Sequence, residues 1–362
     1  MSDAVRRHYE LFPYPRYPLL ASLRRCDTYA LNLTALWTRF SGALPPRSAL
    51  RILVAGCGSF APYPFALANP DAQITALDLS RPNLRRARLH CTLHARRNVA
   101  FRCGDLTDPG AVEGTFGLID AYGVVHHLDD PLAGLKALEA RLAEGGIVRV
   151  MVYSRYARRQ EEAIRRAFRL LGIRDPGAAR RLMGRARPGS RLAGFIDASD
   201  EAASVSGLAD ALLHPLVHTF RIDDFMELVR QSGLKPLLFA HEGALEDPER
   251  EVERIREMEA ARQSPGNFVL YLGRTSAPCS GDEPSLLVLN PCLSGVVAGM
   301  RLGAQRIPPR LGHDNPPLGH RERRFLRRFL TPVPWESLSG EDRAAATRSC
   351  RALFLLRYRH DA

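Results

Sequence analysis

An α/β fold on a doubly wound, mostly parallel sheet of seven strands is predicted for this 362-residue chain by three observations. Apolar runs of strand length alternate with helix-like segments from about residue 48 to 155, the pattern of a parallel sheet covered on both faces. Residues 51–60, Arg-Ile-Leu-Val-Ala-Gly-Cys-Gly-Ser-Phe, carry one such run straight into a glycine turn. A second run, Ile74 to Leu77, ends in Asp78, 20 positions after Gly58. Gly56 and Gly58 let backbone N–H groups approach an anionic group at the next helix's N-terminus. An acid closing the second strand accepts hydrogen bonds from ribose hydroxyls. Turn and acid together mark a nucleoside site and leave the substrate open.

Each element follows in order. Residues 1–47 read as an N-terminal cap segment, rich in aromatic residues and proline, with an apolar stretch from Leu31 to Trp37 and a stop at Pro45-Pro46. After the first two strands, Ser80 is placed to cap a helix with Pro82 in its first turn. Val99 to Arg102 is a short third strand leading to Gly104-Asp105-Leu106, where the carboxylate can accept from an adenine amino group and Leu106 can pack on the ring. Phe116 to Val125 reads as the fourth strand, followed by His126-His127-Leu128-Asp129-Asp130-Pro131. A helix from Leu132 to Leu142, a Gly145-Gly146 break and a fifth strand, Ile147 to Tyr153, complete the core.

Residues 155–212 read as an arginine-rich helical insert. Its first part, 155–193, holds twelve arginines against Glu161, Glu162 and Asp175, a net charge of +9. Ile164, Phe168 and Leu171 recur at helical spacing, so an amphipathic helix with a solvated basic face is expected. The core pattern resumes with a helix begun by Asp223 or Asp224 and ended by Gly233, then a strand from Leu234 to Phe239. A charged helix over 247–262 leads to Phe268 and a last, hairpin-paired strand. Residues 276–285 read as a linker, and 286–362 as a small helical C-terminal module of unknown function.

Two cofactors fit the glycine turn. Gly56-x-Gly58-x-x-Ala61 with Asp78 beyond satisfies a dinucleotide fingerprint and so NAD. The shorter Gly-Cys-Gly turn suits S-adenosylmethionine, whose carboxylate is the anion. The later motifs decide. Ile-Leu-Val-Ala-Gly-Cys-Gly at 52–58, Ile-Thr-Ala-Leu-Asp-Leu-Ser at 74–80 and Gly104-Asp105 are similar to motifs of the class I S-adenosylmethionine-dependent methyltransferases. So are Gly-Val-Val-His-His-Leu-Asp-Asp-Pro at 123–131 and Val-Tyr-Ser-Arg-Tyr-Ala-Arg at 152–158. Tyr9-Glu10 with Pro13-Tyr14-Pro15-Arg16 resembles the N-terminal segment of bacterial members often fused to tetratricopeptide repeats. The resemblance runs from about residue 8 to 275, so a methyltransferase domain is expected over 48–275. It implies the Rossmann-like methyltransferase fold, S-adenosylmethionine as cofactor, and contacts at Gly56, Gly58, Asp78 and Asp105. Ala55, Cys57, Leu79 and Leu106 beside them complete the expected lining.

The chain departs from that family at two positions. Val54 stands where many methyltransferases carry an acid, two residues before the first glycine. Phe60 stands where a third glycine is usual, and either crowds the methionine end of the cofactor or turns into the helix packing.

Composition narrows the class. The apolar fraction is 45% and no run approaches the ~20 apolar residues of a membrane span. Residues 1–7 lack the apolar stretch of a signal peptide. Seven cysteines are scattered without a Cys-x-x-Cys pair, which supports neither a disulfide framework nor structural zinc, and a reducing cytoplasm is expected. The net charge of +12 invites an RNA partner, but only Lys136 and Lys235 are lysines, a bias equally explained by a GC-rich genome.

Methyl transfer is largely alignment of a nucleophile with an already activated methyl group. An oxygen nucleophile needs a base within hydrogen-bond reach. His126 and His127 sit where the fourth strand ends, and Tyr122 lies on that strand; these are the candidate catalytic residues. The Asn/Asp-Pro-Pro-Tyr signature of amino-directed members is absent, which weighs against nitrogen as acceptor. His214 and His218 are four apart around Pro215, a poor metal site, and Cys57 reads as a small packing residue. The leading reading is therefore methyl transfer to a small or medium-sized organic acceptor at oxygen. The alternatives are an NAD-dependent oxidoreductase, an RNA-directed methyltransferase and a cofactor-binding protein without transfer activity.

Overall fold

The computed structural model describes residues 3–199, 204–299 and 303–359. Parts of the expected insert (200–203) and of the C-terminal module (300–302 and 360–362) lie outside the described residues. Seven strands form one sheet: β1 (Arg51–Ala55), β2 (Gln73–Asp78), β3 (Val99–Cys103), β4 (Phe116–Tyr122), β5 (Leu142–Val152), β6 (Lys235–Phe239) and β7 (Phe268–Gly273). Their order is β3-β2-β1-β4-β5-β7-β6. The first five run parallel, and β7 is antiparallel to both β5 and β6. From β1 the chain winds outward through β2 and β3, then restarts on the other side at β4. That reversal opens a crevice beyond the carboxyl ends of β1 and β4. Ile52 to Ala55 and Phe116 to Ala121 are buried, as expected of central parallel strands covered on both faces.

Helices α1 (Asp3–Leu11) and α2 (Leu33–Ser41) belong to the N-terminal segment. Helix α3 (Pro62–Ala68) follows the glycine turn with proline in its first turn. Helix α4 (Arg81–Leu93) is capped by Ser80, whose side chain accepts from Asn83 N at 3.3 Å. Asp130 caps α5 (Pro131–Ala140) in the same way. Each cap satisfies an N–H that the helix leaves unpaired.

Two boundaries differ from the sequence reading. Strand β4 ends at Tyr122, because Gly123 turns the chain with φ of 79°. Val125–His127 then form a short 3-10 turn, so both histidines leave the strand. Strand β5 begins at Leu142 rather than Ile147. Phe116 pairs with Leu142 and Leu118 with Ile147, so Gly145-Gly146 is a bulge within the strand instead of a break before it.

The insert comprises α6 (Arg159–Leu170), α7 (Pro176–Met183), α8 (Arg191–Ala198) and α9 (Val205–Leu208), the last running into a π-helical turn, Ala209–Leu213. It has its own apolar cluster around Ile164, Phe168, Met183, Phe195 and Leu212. Leu171, expected on the buried face, is exposed. Helices α10 (Ile222–Gln231) and α11 (Pro248–Ala260) pack on one another beside the sheet.

The C-terminal region is not the helical module the sequence reading expects. Strands β8 (Ser285–Leu289), β9 (Val333–Pro334) and β10 (Leu355–Arg359) form an antiparallel sheet in the order β10-β8-β9. Helices α12 (Ser294–Ala298), α13 (His320–Arg327) and α14 (Gly340–Arg351) accompany it. Its buried Phe329, Trp335 and Phe354 share one continuous core with Tyr29, Leu36 and Trp37 of the N-terminal segment. The expected linker is tied down where Ala277 N donates to Phe40 O at 2.7 Å.

Candidate cofactor and acceptor site

The site starts where β1 gives way to its turn. Gly56 and Gly58 adopt φ of 60° and 56°, a conformation that disfavours any side chain. Cys57 N donates to Leu77 O at 2.9 Å, and Gly58 N to Asp78 Oδ2 at 2.7 Å. Asp78 Oδ1 accepts from Ser80 N at 2.8 Å and from the Asn83 amide at 3.5 Å. One buried carboxylate thus ties the glycine turn to the start of α4. Burial pushes its pKa up, against the pull of these hydrogen bonds.

The N-terminal segment crosses directly over this turn. Ser59 N donates to Tyr14 O at 3.3 Å, the Ser59 hydroxyl donates to Pro15 O, and Tyr14 N donates to Asn83 Oδ1 at 3.2 Å. A Cβ at Gly58 would stand 2.7 Å from Tyr14 O, so this glycine also admits the cap. Further along, Ser80 Oγ donates to Tyr9 O at 3.0 Å, and Tyr9 Oη donates to Asp210 Oδ1 of the π-helical turn at 2.9 Å.

Between cap and sheet lies a cavity of about 310 Å³. One end is lined by Gly56, Cys57, Gly58, Asp78, Leu79 and Asn83. The ends of β4 and β5 contribute Asp120, Tyr122, Val124, Arg149, Met151 and Tyr153. Tyr9, Tyr14, Tyr17, His127 and Asp210 complete it. Its size and mixed apolar and polar lining suit a small-molecule site.

Five of the eight expected cofactor residues line this cavity: Gly56, Cys57, Gly58, Asp78 and Leu79. Ala55 is buried in β1 just behind the turn. Asp105 and Leu106 lie outside the lining. The Asp105 carboxylate accepts from Thr107 N and Oγ1 at 2.9 and 2.8 Å, while Gly104 N donates to Asp78 O, keeping the segment beside Asp78. Phe60 turns away from the cavity into a ring cluster with Tyr17, at 4.3 Å between centroids, and His90, at 5.0 Å. The Cys57 thiol is buried and pushed well up, consistent with packing rather than nucleophilic chemistry.

The two histidines separate. His127 lines the cavity, and its Nδ1 donates to Leu216 O at 2.9 Å, which leaves the Nε2 lone pair free to accept a proton. Burial depresses its pKa to about 3, partly offset by that hydrogen bond. His126 is fully buried, stacks on Tyr153 at 3.8 Å and does not line the cavity. Its expected catalytic role is therefore corrected to a packing one. Tyr122 stands half-exposed at the mouth with its ring under the Arg149 guanidinium, 4.9 Å from centroid to Cζ.

His214 and His218 diverge. His218 Nε2 meets Leu128 O at 3.0 Å, whereas His214 joins His8 and Asp210 in a buried group whose ligating atoms lie within 4.8 Å of one another. His214 Nδ1 accepts from Leu216 N at 3.1 Å, so the neutral ring carries its proton on Nε2 and presents a donor there. Its Nε2 is buried with no hydrogen-bond partner among the described residues.

Sequence reasoning missed Asp120, Arg149, Asn83 and Asp210. A signal existed for the first two: an acid and an arginine inside runs that are otherwise those of buried strands. Asp210 carried none, because only the fold of the insert brings it to Tyr9.

The sheet order, the glycine turn and its closing acid define a Rossmann-like nucleoside-binding domain. Residues 53–148 match the family model described as "Methyltransferase domain". An uncharacterized phycocyanin operon protein of Pseudanabaena tenuis is 33% identical over 91 residues, 25% of this chain and 86% of that protein. An uncharacterized protein of Synechococcus is 33% identical over 176 residues, 47% of this chain. The chain spans 42% of the length of that Synechococcus relative. PKMT2 from Rickettsia typhi shares the fold, at a TM-score of 0.59 and 15% identity, over 96% of this chain and 78% of that one. Residues 53–148 are therefore a methyltransferase domain, for which S-adenosylmethionine is the cofactor. This corrects the NAD alternative that Ala61 and Asp78 had motivated.

The donors present fit that cofactor. Asp78 uses three of its roughly four lone-pair positions on the protein, leaving one toward the cavity for a ribose hydroxyl.

Proposed function

We propose that the protein transfers a methyl group to a hydroxyl of a small or medium-sized organic acceptor. The observation that carries this reading is His127. It lines the same cavity as the glycine turn and Asp78, and its ring is held with Nε2 free. The cofactor supplies a methyl group on an activated sulfonium. The glycine turn and Asp78 hold the nucleoside, with Asp105 and Leu106 beside them for the base. His127 accepts the acceptor's proton at Nε2. Burial keeps the ring neutral at working pH, with Nε2 unprotonated. Tyr9 packs its ring beside that of His127 and donates to Asp210 Oδ1 at 2.9 Å. Tyr9, Tyr14 and Tyr153 exclude water and align the acceptor, which is most of what this reaction requires.

Calorimetric titration tests the cofactor half. S-adenosylmethionine and S-adenosylhomocysteine are expected to bind one per chain and NAD not at all; the reverse pattern overturns the reading. For the acceptor half, transfer of labelled methyl groups to a panel of hydroxylated compounds is compared in wild type and His127→Asn. Turnover is expected to fall by about a hundredfold or more, within the usual range for a general base, with cofactor affinity unchanged. Equal turnover removes His127 from that role.

A further inference from the structure

The outer side of α6 carries charge and apolar surface together. Arg159, Ala163, Arg166 and Leu170 recur at spacings of four, three and four, which sets them in one row along the helix, and all of them are exposed. Arg169 stands exposed beside the row. Ile164 and Phe168 face the other way, into the insert's own core. At the end of the row Leu170 is 80% exposed and Leu171 65%. The chain then turns at Gly172, with φ of 68°, and the exposed Arg174 follows.

The acids that could neutralise this face are engaged elsewhere. Glu161 pairs with Arg158 at 3.0 Å, and Glu162 accepts from the Thr219 hydroxyl. Asp175 caps α7, accepting from Gly177 N and Ala178 N at 2.8 and 3.0 Å. Among the described residues no carboxylate pairs with Arg159, Arg166, Arg169 or Arg174.

A row of unpaired guanidinium groups attracts a polyanion. The leucines decide which kind. A single-stranded nucleic acid stacks its bases on exposed aromatic rings. The described part of the insert has none, since Phe168 and Phe195 are buried and Tyr156 is half-buried. RNA therefore takes the arginines and leaves Leu170 and Leu171 in water. The interface of an anionic bilayer accepts both, with phosphates at headgroup depth and acyl chains just beneath.

We propose that the outer face of α6 docks on an anionic lipid bilayer, Leu170 and Leu171 entering the headgroup layer and Arg159, Arg166, Arg169 and Arg174 pairing with lipid phosphates. The helix lies on the bilayer and does not span it, since its 12 residues fall short of the ~20 a span needs. This surface is independent of the identity of the methyl acceptor.

Co-sedimentation of the full chain with vesicles tests it. Wild type is expected to bind vesicles of equal parts phosphatidylglycerol and phosphatidylcholine at least tenfold more tightly than phosphatidylcholine alone. Arg159→Gln, Arg166→Gln and Arg169→Gln combined are expected to weaken that binding about a hundredfold, roughly fivefold for each basic residue near the surface. Leu170→Ser with Leu171→Ser is expected to weaken it tenfold or more, because the apolar contribution is lost. Equal affinity for the two vesicle types, no binding to either, or a leucine variant that binds as wild type overturns the proposal. If the multiple variants do not fold, the wild-type comparison and Leu170→Trp decide. A blue shift of the Leu170→Trp emission on the mixed vesicles supports entry into the headgroup layer, and an unchanged spectrum overturns it. Filter binding of bulk RNA is the counter-test. RNA held more tightly than the mixed vesicles, with affinity lost in the arginine variant and kept in the leucine variant, assigns the surface to nucleic acid and overturns the lipid reading.

Discussion

Asp78 has two functions that a substitution does not separate. Its carboxylate is expected to hold the ribose, and it also satisfies the buried N–H groups of Gly58 and Ser80. Asp78→Ala is therefore expected to weaken S-adenosylhomocysteine binding roughly tenfold to a hundredfold, the worth of a hydrogen bond to a charged group. It is also expected to destabilise the fold by about 1–3 kcal/mol, because two donors lose their acceptor. Calorimetry and urea melts on the same variant read the two effects. Phe60→Gly separates them in the other direction. The ring packs on Tyr17 and His90 rather than the cavity, so the substitution is expected to cost about 2 kcal/mol of stability and leave cofactor affinity unchanged.

A pH dependence also belongs to single residues. Burial, with Arg165 nearby, lowers the His8 pKa to about 4, so the folded protein refuses a proton that the unfolded chain accepts below about 6.5. The unfolded state then binds more protons between those values. Stability falls as pH drops from about 6.5 to 4 and is regained on returning above that window. His127, lowered to about 3 by burial, acts in the same direction. Urea melts across this range are expected to show a shallower slope in His8→Gln than in wild type. The difference approaches ~1.4 kcal/mol per pH unit, the contribution of one proton. An identical slope rules out His8 as a contributor.

At the scale of elements, α6 shows how a charge run misleads. Its arginines read as one solvated face. Arg166 and Arg169 are exposed, but Arg165 turns inward, where its Nη2 donates to His214 O at 2.7 Å beside the π-helical turn. Arg165→Glu places a carboxylate against carbonyl oxygens and is expected to destabilise by about 3 kcal/mol, the usual result of an uncompensated buried charge. Arg166→Glu and Arg169→Glu are expected to stay within about 0.5 kcal/mol of wild type, as exposed positions do. Thermal melts of the three variants make the comparison.

For the whole molecule, the decisive feature is the shared core. Phe329, Trp335 and Phe354 at one end of the chain pack in the same cluster as Tyr29, Leu36 and Trp37 at the other, and Asn290 Nδ2 donates to Tyr29 O at 3.2 Å. A single cooperative unfolding transition is expected, with near-ultraviolet and far-ultraviolet signals coincident. Two separated transitions would show that the C-terminal region is an independent unit.

Much of this was legible in the residues. The β1 run, the glycine turn and Asp78 appear in the sequence as they appear in the fold, because they rest on local rules: strand alternation, positive φ at glycine, an acid at a strand end. Ser80 caps the helix that its position predicts. The pocket's floor and roof were not legible. Asp120 and Arg149 are 29 residues apart and meet only through strand register. Tyr9 and Asp210 are 201 residues apart and meet only when the cap folds onto the insert. The choice between His126 and His127 depended on one 3-10 turn, in which adjacent side chains point to different places. The sequence by itself determined the fold class and the glycine turn with its closing acid, since both are written in short-range patterns. Only the tertiary structure decided which charged groups face the cavity, because that depends on contacts between segments whose spacing in the chain carries no trace of their meeting.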